Sequence, residues 1–197
     1  MSRQIKPFIT QAEYLTFERM ADHKSEYLNG EVFAMTGVSR RHNLIATNIV
    51  LSLGGQLKGG PCELYVSDMR VKVASAGLYL YPGVTVVCGE PGFEDHHLDT
   101  LQNPTLLIEI LSKSTERYDR IARSAYYRTI DSLSEYLLVA QEEYRVEQYV
   151  KQVAGRWLLT EVRSLDAAID LESIQCSLAL RDIYDRISIE PDAHPTD

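Results

Sequence analysis

One carboxylate stands inside an apolar run, Thr105-Leu106-Leu107-Ile108-Glu109-Ile110-Leu111. The run is too short and too rich in Leu and Ile for a solvated strand. An isolated charge taken out of water costs several kcal/mol even after relaxation. Glu109 must therefore have compensating partners or take part in chemistry. Two uses fit a carboxylate held this way. It can be a ligand for a hard cation, or it can be one half of a buried ion pair. The partner for such a pair would be Arg70 or an arginine of the segment that follows, which carries Arg117, Arg120, Arg123 and Arg128.

The elements that would position Glu109 are legible from periodicity and punctuation. Thr10-Gln11-Ala12-Glu13 is a capping-box pattern and predicts a short helix to about residue 21. Residues 26–35 read as two short strands around Asn29-Gly30, a dipeptide suited to the positive φ angles of a tight hairpin. Ile45, Ile49, Leu53 and Leu57 recur at helical spacing within a predicted helix over 39–57, and Gly59-Gly60-Pro61 ends it. Alternating residues predict strands over 63–73 and 78–88. Pro82, inside the second, implies an edge position or a bulge. The Glu109 strand covers 105–111. Ser112 to Thr115 supply cap candidates for a helix over 116–130, and a strand follows over 135–140. Segments 145–150 and 156–162 form a predicted hairpin. A short strand and a helical turn near 182–187 follow, and the last residues, 188–197, are expected to fray. The reading is one domain over 1–197, with its core at about 39–140 and a C-terminal β extension at about 141–187.

Composition narrows the classes. The chain of 197 residues has 28 acids against 20 bases, a net charge of -8. That balance opposes nucleic-acid binding by bulk attraction and leaves it to local basic patches. No apolar run approaches the roughly 18 residues of a membrane span, and the N-terminus lacks a signal-peptide core, so a cytoplasmic location is expected. Cys62, Cys88 and Cys176 are odd in number and widely spaced, and they read as packed, reduced thiols. His96-His97 reads as part of an exposed loop rather than a zinc site. No G-x-S-x-G, Walker or dinucleotide pattern is present.

In chain order the elements from 39 to 140 give αβββαβ. This resembles the core of the restriction-endonuclease-like (PD-(D/E)xK) superfamily. It is an α/β fold with a mixed central sheet, here preceded by a helix and hairpin and followed by a β-hairpin extension. More closely, the chain resembles the Uma-type family of restriction endonucleases, common in cyanobacteria. The resemblance rests on Glu26-Tyr27-Leu28-Asn29-Gly30-Glu31, Arg41-His42-Asn43, Ser67-Asp68-Met69-Arg70-Val71, Tyr81-Pro82, Ile108-Glu109-Ile110-Leu111-Ser112 and Ser114-Thr115.

The resemblance implies a DNA endonuclease that hydrolyses phosphodiester bonds through Mg²⁺ or Mn²⁺ held by carboxylates. The implied metal ligands are Glu109 and Asp68, with Glu31 within reach if the hairpin folds over the site. Arg123 takes the place of a catalytic lysine, and Lys113 can add charge. His42, Arg70 and Arg120 are the implied nucleic-acid contacts, and a homodimer is implied by analogy. The chain departs from the family at Gly83, which stands where the family has its metal-binding Asp. Arg123 keeps the positive charge but is a poor general base. The alternative implied by these departures is a catalytically inactive binding or assembly module on the nuclease fold.

Overall fold

A computed structural model of the chain describes residues 8–112 and 116–189. Helix α1 (Gln11–Glu18) starts at the expected capping box, with Thr10 and Glu13 exchanging backbone-to-side-chain bonds of 2.8 and 3.3 Å. Strands β1 (Ser25–Leu28) and β2 (Glu31–Ala34) pair across Asn29-Gly30, where φ is 47° and 90°. Glycine takes the second of these angles without steric penalty. Helix α2 (Arg40–Leu57) buries Ile45, Ile49, Leu53 and Leu57. Each such side chain contributes about 1.5–3 kcal/mol when fully buried.

Both long predicted strands are broken. The first becomes β3 (Cys62–Val66) and β4 (Arg70–Val73), and the second becomes β5 (Leu78–Leu80) and β6 (Val84–Cys88). The halves belong to different sheets. With β7 (Thr100–Leu101), one sheet has the order β2-β1-β5-β4-β7. The other adds β8 (Leu106–Leu111), β9 (Glu135–Ala140), β10 (Val146–Lys151) and β11 (Trp157–Val162), in the order β11-β10-β9-β8-β6-β3. Alternation records which face of a strand is buried, not which sheet it joins, so the sequence pattern runs on through both breaks. Pro82 has no N–H for a ladder bond, and Ser67-Asp68 are turn formers. Pro82 therefore marks a crossing between sheets rather than an edge strand.

The larger sheet is mixed: β8 and β9 run parallel and its other pairs are antiparallel. Between β8 and β9 lies helix α3, residues 116–127, in which a π segment, Asp119–Arg123, separates the helical pieces Glu116–Tyr118 and Ser124–Tyr127. Strand β8 is buried throughout and sorts its residues by parity. Leu106, Ile108 and Ile110 pack with α2 and with the hairpin of β12 (Ala168–Leu171) and β13 (Cys176–Ala179). Leu107 and Leu111 pack with Tyr127, Tyr136 and residues of the smaller sheet. Glu109 shares the parity of that second group, so its side chain enters the layer between β8, α3 and β1. The closing helical turn is Leu180–Ile183, slightly earlier than the pattern predicts, and the fraying expected for the end of the tail lies largely outside the described residues.

The cysteine reading is corrected. Cys62 and Cys88 form a disulfide and Cys176 alone is a buried free thiol. The two bonded residues are directly opposed in the β3–β6 register, a proximity that their separation of 26 residues hides. Because the bond closes a loop of that length, reduction is expected to destabilise the chain by about 3.5 kcal/mol on the loop-entropy scale. Urea midpoints with and without dithiothreitol measure this, and Cys62→Ser/Cys88→Ser should match the reduced protein.

Candidate functional site: an arginine held by three acids

The predicted need for a partner to Glu109 is met on α3. Arg123 donates from Nη1 to Glu109 Oε1 at 2.9 Å and from Nη2 to Glu26 Oε2 at 2.7 Å. Its Nε lies 3.0 Å from Asp119 Oδ1, an ion-pair contact whose angle falls short of a hydrogen bond. The π segment turns both Asp119 and Arg123 inward, and single π turns of this kind recur at functional sites. Tyr127 donates its hydroxyl to Glu109 Oε1 at 2.9 Å, and the Tyr81 backbone N–H donates to Glu26 Oε1 at 3.2 Å. Glu26, Glu109, Asp119 and Arg123 are each less than a tenth exposed. The Tyr118 ring lies 5.6 Å from the guanidinium.

Three formal negative charges thus surround one positive charge. Burial raises the proton affinity of Glu109 and of Glu26, and Arg123 works against the rise in both. Burial also opposes the charge on Arg123, but the surrounding acids outweigh it and hold the guanidinium protonated. Such a cluster binds three elements together: β1 through Glu26, β8 through Glu109, and α3 through Asp119 and Arg123.

Glu109 and Arg123, both expected in the site, are therefore brought together. The β6–β8 register, continued one residue past Val84–Ile108, places Gly83 across from Glu109. The backbone has already turned there. A Cβ at Gly83 would meet the Ile108 carbonyl oxygen at 3.1 Å and Ile110 carbons at 3.7 and 3.8 Å. Asp68 is placed elsewhere, in the turn between β3 and β4. Its exposed carboxylate is 2.7 Å from Lys24 Nζ, which also donates to the Ser67 carbonyl. Glu31 is exposed at the start of β2, opposite Leu28. Lys113 lies outside the described residues.

The implied nucleic-acid contacts are mostly engaged within the protein. Arg70 is buried, 2.6 Å from Asp99 and 3.1 Å from both Thr100 Oγ1 and the Tyr81 hydroxyl. Arg120 reaches Glu116 at 2.8 Å and Glu147 at 2.5 Å. His42 sits in the first turn of α2 with its backbone N–H donated to the Ser39 cap, and burial lowers its imidazole's affinity for a proton. Arg117 and Arg128 remain exposed. Sequence reasoning passed over Glu26, Asp119 and Tyr127. Asp119 and Arg123 do stand four apart, a legible helical pair. Glu26 opens a quoted motif, but only β1–β5 pairing turns it toward Arg123.

Carboxylates are the donor class that holds Mg²⁺ or Mn²⁺. The arrangement, however, does not fit such an ion. No choice of one oxygen from each of Glu26, Glu109 and Asp119 brings all three within 4.8 Å of one another. The guanidinium fills the space they surround, and Gly83 offers no ligand. Among the described residues, the group that does meet that distance is Asp95, His96 and His97, whose carboxylate already accepts from Arg19 at 2.8 and 3.0 Å.

Mixed sheet, flanking helices and an acid on the strand before α3 define the restriction-endonuclease-like class. A crystal structure from Anabaena variabilis, described as "a putative nuclease belonging to DUF820", shares the fold. Its TM-score is 0.76 at 17% identity, over 91% of this chain and 99% of that one. Residues 11–181 match the Uma2 family, described as "Putative restriction endonuclease", and the chain belongs to that family. Two Synechocystis sp. proteins described as uncharacterised are similar along most of their length. One, sll1609, is 40% identical over 82% of this chain and 92% of its own, and slr1290 is 33% identical over 90% and 92%. No described helix is long and apolar enough to cross a membrane.

Two measurements check this geometry. Removing the guanidinium leaves three acids uncompensated, so Arg123→Ala is expected to cost about 3–5 kcal/mol, while Tyr127→Phe costs about 1.5–3 kcal/mol. Equal losses in urea denaturation would contradict the ordering. A second test concerns Asp99, held well below the usual carboxylate range first by its bond to Arg19 and also by Arg70. A depressed carboxylate contributes stability above its unfolded pKa of about 3.9, and that contribution is lost as pH falls toward the folded value. Wild type should therefore exceed Asp99→Asn by a constant margin above about pH 4, with the gap closing on acidification.

Proposed function

We propose that this chain is a DNA-directed protein of the restriction-endonuclease type whose phosphodiester cleavage is impaired. The observation that carries the reading is the pair of positions 109 and 83: Glu109 occupies the family's acidic position on β8, while Gly83, where the family has a second carboxylate, has no side chain and a Cβ direction that runs toward Ile108 and Ile110. The family description supports DNA as the substrate, and the exposed Arg117 of α3 and Arg128 at its C-terminal cap are candidates to meet its backbone. Full hydrolysis in this class calls for Mg²⁺ or Mn²⁺. The chain's own residues supply Glu109 and Glu26 as acids and Arg123 as a fixed positive charge, whose field the three carboxylates largely cancel.

A second reading, a non-catalytic assembly module, draws support from β11. This edge strand exposes Leu158 and Leu159, each about half accessible, and offers an unpaired ladder to a second copy. A homodimer would belong to either reading.

Plasmid retardation and nicking, measured together in Mg²⁺ and in Mn²⁺, separate these readings. The proposal expects wild type to retard DNA with little nicking. Gly83→Asp/Arg123→Lys, which restores both family residues, should nick DNA, and adding Glu109→Ala should abolish that gain. If neither protein retards DNA nor cuts it, the DNA-directed reading is wrong and the assembly reading takes its place. Rapid cutting by wild type would instead mark an unimpaired metal-dependent endonuclease.

A further inference from the structure

The mismatch between the acid cluster and a divalent ion has a structural explanation in Arg123 itself. We propose that the Arg123 guanidinium is a built-in substitute for the family's divalent ion, tying Glu26, Glu109 and Asp119 together without metal. The inference rests on reading Glu109 as the family's acidic position, but it does not require the chain to touch DNA.

Three features support it. The fork is used from every side, since Nη1, Nη2 and Nε each face a different carboxylate at 2.7 to 3.0 Å. A guanidinium presents planar donors in fixed directions, whereas an ammonium is a compact point charge. Replacement by lysine, the residue the family resemblance puts here, would therefore leave at least one acid unanswered. With the guanidinium between them, the acids are also held wider apart than a small ion gathers its ligands. Mg²⁺ takes its oxygens at about 2.0–2.1 Å, which puts neighbouring ligands about 3 Å apart. The three carboxylates around Arg123 do not converge even within 4.8 Å. Finally, the loss of a ligand at Gly83 and the presence of arginine at 123 are complementary. Where an ion loses a carboxylate, the remaining acids still need a positive charge, and a side chain that stays protonated at any physiological pH supplies it permanently.

The substitution also changes what metal does to folding. An ion that binds only the native state raises the melting point by mass action. A guanidinium tethered to α3 provides the same cross-link at fixed effective concentration, so metal has nothing left to stabilise.

Thermal melts in EDTA, Mg²⁺ and Mn²⁺, joined to Mn²⁺ binding by electron paramagnetic resonance, test the proposal on the full chain. Wild type should melt at one temperature in all three and leave the Mn²⁺ signal undiminished. Arg123→Ala should melt lower in EDTA and recover by about 5–10 °C at a hundredfold excess of Mn²⁺ over its Kd. Glu109→Gln/Arg123→Ala should show no recovery. Wild-type Mn²⁺ binding that Glu109→Gln removes would overturn the proposal, as would a folded Arg123→Ala that ignores metal. If Arg123→Ala does not fold, Arg123→Lys replaces it, with a Glu109-dependent Mn²⁺ response expected and its absence counting against the idea. The outcome is independent of the nicking assay. Failure to bind DNA leaves the Arg123 substitution standing, and Mn²⁺ bound at Glu109 of a DNA-binding wild type removes the substitution alone.

Discussion

Glu109 must be compensated because the strand that carries it has no other polar side chain within the sheet. Its neighbours on the same face are Leu107 and Leu111, and the opposite face of β8 is filled by Leu106, Ile108 and Ile110. Because burial withdraws the charge from solvent, the compensation comes from protein groups: a guanidinium, a phenol and the geometry that brings them within hydrogen-bond reach. The position of α3 follows from this requirement as much as from its apolar residues. Tyr127 contributes both, since its ring packs in the core while its hydroxyl answers the carboxylate.

The cost of this arrangement is spread over several elements. A single Arg–Glu pair in such a place roughly balances its desolvation, and further hydrogen bonds decide whether it is tolerated. Here Glu26 adds a second acid from a separate sheet, with its other oxygen bonded to the Tyr81 backbone just before the crossing at Pro82. The polar cluster consequently spans the joint between the two sheets. A second, more exposed network of Arg19, Asp95, Asp99 and Arg70 ties α1 to the loop before β7 and to β4.

Much of the architecture was readable because hydrophobic periodicity is a local property. The α2 stripe, the Asn29-Gly30 hairpin, the capping box at Thr10, strands β8 and β9 and the hairpin of β10 and β11 all follow from spacing and turn chemistry. The two broken strands were not readable as breaks. Alternation persists on either side of Ser67-Asp68 and Tyr81-Pro82, and nothing local states that the chain changes sheets. Asp68 was misplaced for that reason: a continuous strand would carry it toward Glu109, whereas the turn sends it out to Lys24. The cysteines follow the same logic, because register alone makes Cys62 and Cys88 neighbours.

The sequence by itself determined that Glu109 is withdrawn from water, that an arginine of the following helix was a candidate to balance it, and that position 83 holds no carboxylate. These follow from residue type and short-range order, which do not depend on distant contacts. Tertiary structure decided which arginine answers, that Glu26 and Asp119 join it, and that the fork leaves no compact set of oxygens for an ion. Those outcomes depend on a π turn and on pairing between β1 and β5, strands about fifty residues apart in the chain. Convergence of side chains from remote segments is set by packing the whole fold, and no local pattern encodes it.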